Sequence, residues 1–290
     1  MTVLQNDDLA SLEAGLDALE TSDVARTPGW RRVLSAAWPP AVAIGLLLLV
    51  WELVYRAGVQ PTYALPSPAD VGLVLLEQLR DGTLLEAIGT SVERGGLAFV
   101  VAVAVGTPLG LLVGRVRAVR RGIGPLLSGL QSLPSIAWVP AAIIFFGLGE
   151  AAIYAVVLLG AVPSIANGMV SGIDQVPPLF LRVGRVLGAR GLAAARYVLL
   201  PAVLPAYLGG LRQGWAFSWR SLMAAELIVR SPELGVGLGQ LLDQGRLLSD
   251  MSLVFAGILG ILLVGIAVEL CLFAPLERRV LRRRGLLVAT

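Results

Sequence analysis

The sequence predicts an all-α integral membrane protein with about six transmembrane helices, and three observations lead there. Of 290 residues, 56% are hydrophobic and only 15% are charged, a balance foreign to ordinary soluble domains. Apolar runs near 20 residues long recur along most of the chain, enough for helices to cross a hydrocarbon core about 30 Å thick. Those runs lack the period-two alternation of barrel strands, which leaves a helical bundle.

Residues 1–35 read as an acidic tail carrying Asp7, Asp8, Glu13, Asp17, Glu20 and Asp23. No basic segment leads into an apolar one there, so a signal peptide is not expected. Leu9, Leu12, Leu16 and Leu19 share one helical face, which leaves two readings: a mobile tail, or a short amphipathic helix that docks on a partner. The membrane domain takes up 36–290. Its spans are expected near 39–55, 88–114, 123–147, 151–173, 205–229 and 253–273. After the first comes Leu65-Pro66-Ser67-Pro68 and a short helix over 69–80, whose start suits the fixed φ of Pro68. Pro134 and Pro140 are expected to kink or interrupt the third span. Gly106, Gly110 and Gly114, and likewise Gly210 and Gly214, recur every fourth residue, a spacing that lets helices approach closely, within the chain or between copies.

Arginines set the expected orientation, because cytoplasmic connections retain positive charge. With the N-terminus inside, Arg26, Arg31, Arg32, Arg115, Arg117, Arg120, Arg121, Arg182, Arg185, Arg190, Arg196, Arg278, Arg279, Arg282, Arg283 and Arg284 fall on the cytoplasmic side. Arg56, Arg80, Arg94, Arg230 and Arg246 fall opposite. Sixteen against five predicts both termini in the cytoplasm.

The connection over 174–204 is unlike the others. It opens on Pro177 and Pro178, closes on Pro201 and Pro205, and is rich in Ala, Leu and Arg between. One or two helices along the membrane surface are expected, broken at Gly188-Ala189-Arg190-Gly191 because Gly tolerates backbone conformations other residues resist. Taken by itself, such a segment could be a basic interfacial helix that binds lipid headgroups.

The fifth span holds Arg212, Arg220 and Glu226, and intramembrane charge usually faces a cavity or a partner. At 100° per residue, Arg212, Trp219 and Glu226 fall on nearly one face with Trp215 beside them, while Arg220 lies to the side. These five are the candidate lining of a pathway. Arg212 could instead snorkel toward headgroups, and Arg220 either pairs with Glu226 from a neighbouring helix or faces water. A planar guanidinium suits a sulfonate or nitrate group.

The inventory excludes several chemistries. The sequence contains no His and no Lys, and its only Cys is Cys271. A P-loop needs Lys, so any ATP and Mg would be bound by another subunit, and no metal or cofactor is expected on this chain. Gly235-Val236-Gly237-Leu238-Gly239 has no phosphate-loop context and reads as a turn on the outer side.

Leu187-Gly188-Ala189, then Leu200-Pro201-Ala202-Val203-Leu204-Pro205, then Gly210-Leu211-Arg212 resemble the cytoplasmic loop signature of binding-protein-dependent ABC importer permeases. Leu65-Pro66-Ser67-Pro68, Pro134-Ser135-Ile136-Ala137-Trp138-Val139-Pro140, Phe146-Gly147-Leu148-Gly149-Glu150, and Trp219 followed by Ala224-Ala225-Glu226 resemble the branch that imports sulfonates, taurine and nitrate. The resemblance covers about 39–285. It departs where the family's loop opens Glu-Ala-Ala, for Arg182, Val183 and Gly184 stand here. It implies a type I importer permease fold with a cytoplasmic coupling helix, a homodimer in the bacterial inner membrane, two cytoplasmic ATPase subunits and an extracytoplasmic solute-binding protein, with no nucleic-acid partner. Arg182, Arg185, Gly188, Ala189, Arg190 and Leu192 are the residues expected to couple the ATPase. The cargo expected first is an aliphatic sulfonate, with nitrate, taurine and other small solutes as alternatives. Two other classes, a secondary transporter or channel and a membrane-embedded enzyme, lack the inverted repeats or acidic clusters they would need.

Overall fold

The computed structural model describes residues 29–230 and 234–283, so the expectations for the leucine face of the tail lie outside the described residues. The chain divides into two compact units, Met1–Ala57 and Gly58–Thr290. The first contains α1 (Gly29–Arg56), whose stretch Trp38–Arg56 is long and apolar enough to cross a membrane.

The second unit opens on α2 (Pro68–Arg80), started as the sequence predicts. Ser67 Oγ accepts from the Asp70 amide at 3.0 Å and the Asp70 carboxylate accepts from the Ser67 amide at 3.2 Å, a reciprocal cap that satisfies two orphan donors. α3 (Thr83–Arg115) is a 33-residue span. α4 (Arg117–Ser132), a 3₁₀ turn (Ser135–Trp138) and α5 (Val139–Phe146) follow. The expected interruption of the third span is a bend of 102° between these helices. Pro134 pushes its predecessor out of the helical region, and Leu133 accordingly sits at φ −77°, ψ 131°.

α6 (Glu150–Asp174) and α9 (Leu200–Ile228) form the centre of this unit. They run antiparallel and nearly backbone to backbone. Gly168 lies against Gly210; a Cβ at Gly172 would meet Val203 at 2.7 Å, one at Gly214 would meet Ile165 at 2.5 Å, and one at Gly160 would meet Ser221 at 2.5 Å. The expected glycine spacing therefore serves packing within the chain, and Gly106, Gly110 and Gly114 do the same between α3 and α6, against Ile165, Met169 and Ile173.

Between α6 and α9 lie α7 (Pro178–Val186), α8 (Gly191–Ala194) and a π-helical turn, Ala195–Leu199. The chain then forms α10 (Leu238–Leu247), α11 (Met251–Val268), a π-helical turn at Glu269–Phe273 and α12 (Ala274–Arg283). The last three make one 33-residue helix, Met251–Arg283. The final span therefore runs about ten residues past its expected end, its Arg-rich turns standing beyond the apolar stretch.

Among the described residues, four helices can cross a membrane by length and composition, and a fifth if the bent pair counts as one span. α9 falls short only in composition, since Arg212, Gln213, Arg220 and Glu226 dilute it. Its 29 residues are long enough, and it packs along α6, which does meet both conditions. It also starts five residues before the expected position, because Pro201 occupies the first helical turn, where its missing N–H costs nothing.

Candidate translocation site

One face of α9 opens onto a cavity of about 390 Å³ lined by Gly209, Arg212, Gln213, Trp215, Ala216, Trp219, Arg220, Gly265 and Glu269. Its apolar wall is fixed by packing. Trp215 and Trp219 stack with centroids 5.9 Å apart, Phe99 meets Trp215 edge-on at 5.5 Å, and Trp219 Nε1 donates to the Ile261 carbonyl at 3.3 Å. Four of the five residues predicted to line a pathway thus meet in one cavity.

The two arginines there are differently committed. Arg212 is neutralised: its Nε donates to Glu269 Oε2 at 2.8 Å, Nη2 forms a second ion pair with Glu269, and Glu277 lies 3.7 Å from Nη1. Arg212 therefore does not snorkel alone. Glu269 begins a π-helical turn, a backbone feature common at functional positions. Arg220 has no carboxylate partner among the described residues. Its Nε donates to the Ala216 carbonyl of its own helix at 3.0 Å, and its guanidinium lies 4.6 Å from the centroid of Phe217. A cation so placed costs at least about 2.5 kcal/mol unless water, an anion or another chain meets it.

Glu226 is a correction. It neither lines this cavity nor pairs with Arg220; its carboxylate is 0% exposed. Ser91 Oγ donates to Glu226 Oε2 at 2.7 Å, the Gly239 amide donates to the same oxygen at 3.1 Å, and Arg94 Nη1 donates to Oε1 at 3.3 Å. Arg94 also reaches Glu150 Oε1 at 3.4 Å through Nε and the Gly235 carbonyl at 3.2 Å through Nη2. The Leu238 amide donates to Ser91 Oγ at 2.8 Å. Buried charge demands such satisfaction, and removing one partner of a buried pair costs on the order of 3–5 kcal/mol.

Arg94 was counted by sequence among outer-side charges, yet it is a buried residue of α3, 4% exposed. The signal that could have found it is the one applied to Arg220: it lies within the second expected span. Glu269, in the last expected span, was missed for the same reason. Ser91 carried no signal of its own.

At the other end of the bundle, Arg120 donates to Asp174 through Nη1 at 2.7 Å and Nη2 at 2.5 Å. This joins the start of α4 to the start of the 174–204 connection, so two of the four arginine groups share one end. There α7 ends where expected. Gly188 takes φ +85°, a left-handed conformation that favours Gly, and the Ala189 amide closes on the Gly184 carbonyl at 2.8 Å. Arg182, Arg185 and Arg190 are exposed and Ala189 is half-buried; the side chain of Leu192 lies outside the description. The sequence missed the apolar side of this segment. Leu179, Phe180, Val183, Leu187 and Tyr197 border a groove of about 390 Å³, and neighbouring Val186 is 87% exposed.

Several helices able to cross a membrane, a charged cavity on an exposed face of α9 and an exposed, partly apolar helix between α6 and α9 fit the class of membrane transport subunits. Residues 106–282 match the family described as binding-protein-dependent transport system inner membrane component, and the chain belongs to that family. A putative ABC transporter permease of Methanocaldococcus jannaschii is 32% identical over 79% of this chain and 85% of its own length. The taurine transport system permease protein TauC of Escherichia coli is 31% identical, over 86% and 91%. Relatives at 28–31% identity are named for aliphatic sulfonates in Bacillus subtilis, nitrate in Synechocystis and bicarbonate in Synechococcus elongatus. Among solved structures, a chain of the MetNI methionine ABC transporter in inward-facing form aligns with TM-score 0.59 and 19% identity, over 68% of this chain and 95% of that one, which shows the shared fold. The protein is an ABC importer permease subunit. It is not an enzyme; ATP hydrolysis belongs to a separate subunit.

Proposed function

We propose that this chain, as a homodimer, forms the pathway for a small oxyanion, aliphatic sulfonates first, with taurine, nitrate and bicarbonate as the closest alternatives. The observation that carries the reading is Arg220: the guanidinium in the α9 cavity that no described carboxylate neutralises, held beside Gln213 and two indole rings. A planar fork of donors matches sulfonate, nitrate and bicarbonate oxygens alike. The names of the relatives at about 30% identity refer to solutes of that kind, which supports the class without choosing within it.

In this reading both termini are cytosolic, as the arginine count supports. Two ATPase subunits dock on the 174–204 segment through Arg182, Arg185, Gly188, Ala189, Arg190 and Leu192 together with the apolar groove beside them, and a solute-binding protein delivers cargo from the opposite side. Because α7 and α8 are joined to α6 and α9, a displacement of the surface helix turns both spans as levers, which suits alternating access. The test is ATPase activity of the reconstituted complex in liposomes, with binding protein loaded in turn with ethanesulfonate, taurine, nitrate or bicarbonate. Stimulation and uptake with ethanesulfonate are expected to exceed those with the others. Stimulation by a cation or a neutral sugar, with none by any of these four oxyanion-bearing solutes, would overturn the reading.

A further inference from the structure

Three stretches that the sequence singles out separately converge on one buried side chain. Phe146-Gly147-Leu148-Gly149-Glu150 delivers Glu150, Ala224-Ala225-Glu226 delivers Glu226, and Gly235-Val236-Gly237-Leu238-Gly239 delivers a carbonyl; Arg94 binds all three. None of these residues lines the α9 cavity. Glu226 lies two helical turns beyond Trp219, about 10 Å further along the same helix.

The fit of α10 on this cluster is steric as well as ionic. A Cβ at Gly237 would stand 2.5 Å from both Glu226 carboxylate oxygens, and one at Gly239 would stand 2.6 Å from Glu226 Cβ and 2.9 Å from the Met223 carbonyl. Only glycine lets the first turn of α10 lie flush against α9. The amides freed at that turn are then used, Leu238 on Ser91 and Gly239 on Glu226. Further along, Asp243, itself buried, pairs with Arg230 and Arg246, whose exposure gives those guanidinium groups a route to water. In the Arg94 cluster both Arg94 and Glu226 are buried.

We propose that Arg94 and Glu226 are positioning residues that latch 235–247 onto α3 and α9, shutting the outer end of the pathway until ATP binding lifts it. Glu150 makes the release feasible. It is 54% exposed and already within 3.4 Å of Arg94, so when the segment lifts, Arg94 keeps a carboxylate while Glu226 gains water, and neither charge is stranded.

The latch rests on the outer placement of this segment, and the experiment separates the two. Single cysteines are placed at Val236, which is exposed, and at Leu238, which is fully buried, in a Cys271→Ser background of the complete transporter in right-side-out vesicles. A membrane-impermeant maleimide then reports access. Cys at 236 is expected to react in every state; failure there overturns the outer placement and the latch with it. Cys at 238 is expected to be shielded without nucleotide and to react about tenfold faster when the complex is trapped with ATP and vanadate. Glu226→Gln is expected to make it reactive in both states. If Glu226→Gln does not assemble, Gly239→Ala, which leaves every charge in place, is expected to do the same. Reactivity of Cys at 238 that is equal in both nucleotide states of the otherwise unchanged protein would overturn the latch, since a purely structural ion pair predicts that result.

Discussion

At the scale of single residues, the charges on α9 divide by who answers them. Arg212 is met by Glu269 and Glu277, Glu226 by Ser91, Arg94 and a backbone amide, and Arg220 by no carboxylate among the described residues. Residue type alone does not make that division, because three formally similar intramembrane charges end in three environments. The consequence is specific. Arg220→Gln is expected to lower uptake of an oxyanion by about tenfold or more, the loss of one charge-assisted bond of about 1.5–3 kcal/mol, while Arg220→Lys keeps the charge and loses the fork, so it recovers part of the rate. Both variants should assemble normally, since Arg220 holds no buried carboxylate. Measured uptake in proteoliposomes decides it; unchanged transport and unchanged solute preference in Arg220→Gln would remove Arg220 from the pathway.

At the scale of elements, the surface helix α7 shows how a short segment can be both well defined and exposed. Its C-terminus is closed by Gly188 at φ +85°, and Gly184 is buried under Val198, where a Cβ would approach to 2.7 Å. One side is thus anchored, while Val186 and Leu187 stand 87% and 80% exposed. Large apolar side chains presented in this way suit either a partner protein or the membrane interface, and the proposed ATPase docking takes the first. Val186→Asp is expected to leave the permease folded, because the site is exposed, and to cut co-purification of the ATPase subunit and solute-stimulated hydrolysis by about tenfold, the scale of one lost interface anchor. Full recovery of the ATPase subunit with Val186→Asp would place the docking surface elsewhere. Two π-helical turns flank the charged helix, one leading into α9 at Ala195–Leu199 and one facing Arg212 at Glu269–Phe273. Both are local departures from α-helical geometry of a kind frequent at functional sites.

At the scale of the whole molecule, α9 is exposed at Arg212, Gln213, Ala216 and Arg220, a polar strip on a helix otherwise packed against α3 and α6. Lipid is a poor covering for it. A second copy brought against this face would enclose the cavity between two identical strips, which is the arrangement a homodimer gives. Native mass measurement of the detergent-solubilised assembly is expected to find two copies of this 30.4 kDa chain per complex, and a cysteine at Ala216 is expected to cross-link to its own counterpart. A complex with one copy of this chain beside a different permease subunit would replace the homodimer with a heterodimer.

Composition and apolar run length determined that this is a helical membrane protein, and glycine and proline positions located the break at Gly188, the close helix contacts and the bend after Leu133. These are local properties: a proline without an N–H or a glycine without a Cβ acts on its own turn, whatever lies across the bundle. Which charge meets which was decided only by the tertiary structure. Arg94 and Glu226 stand 132 residues apart in the chain, and their meeting depends on how far each helix is rotated and how closely α9 approaches α3 and α10. Helical periodicity put Glu226 on nearly one face with Arg212 and Trp219, but only packing showed that the far end of that face is roofed over by the first turn of α10, which removes Glu226 from the cavity its neighbours share.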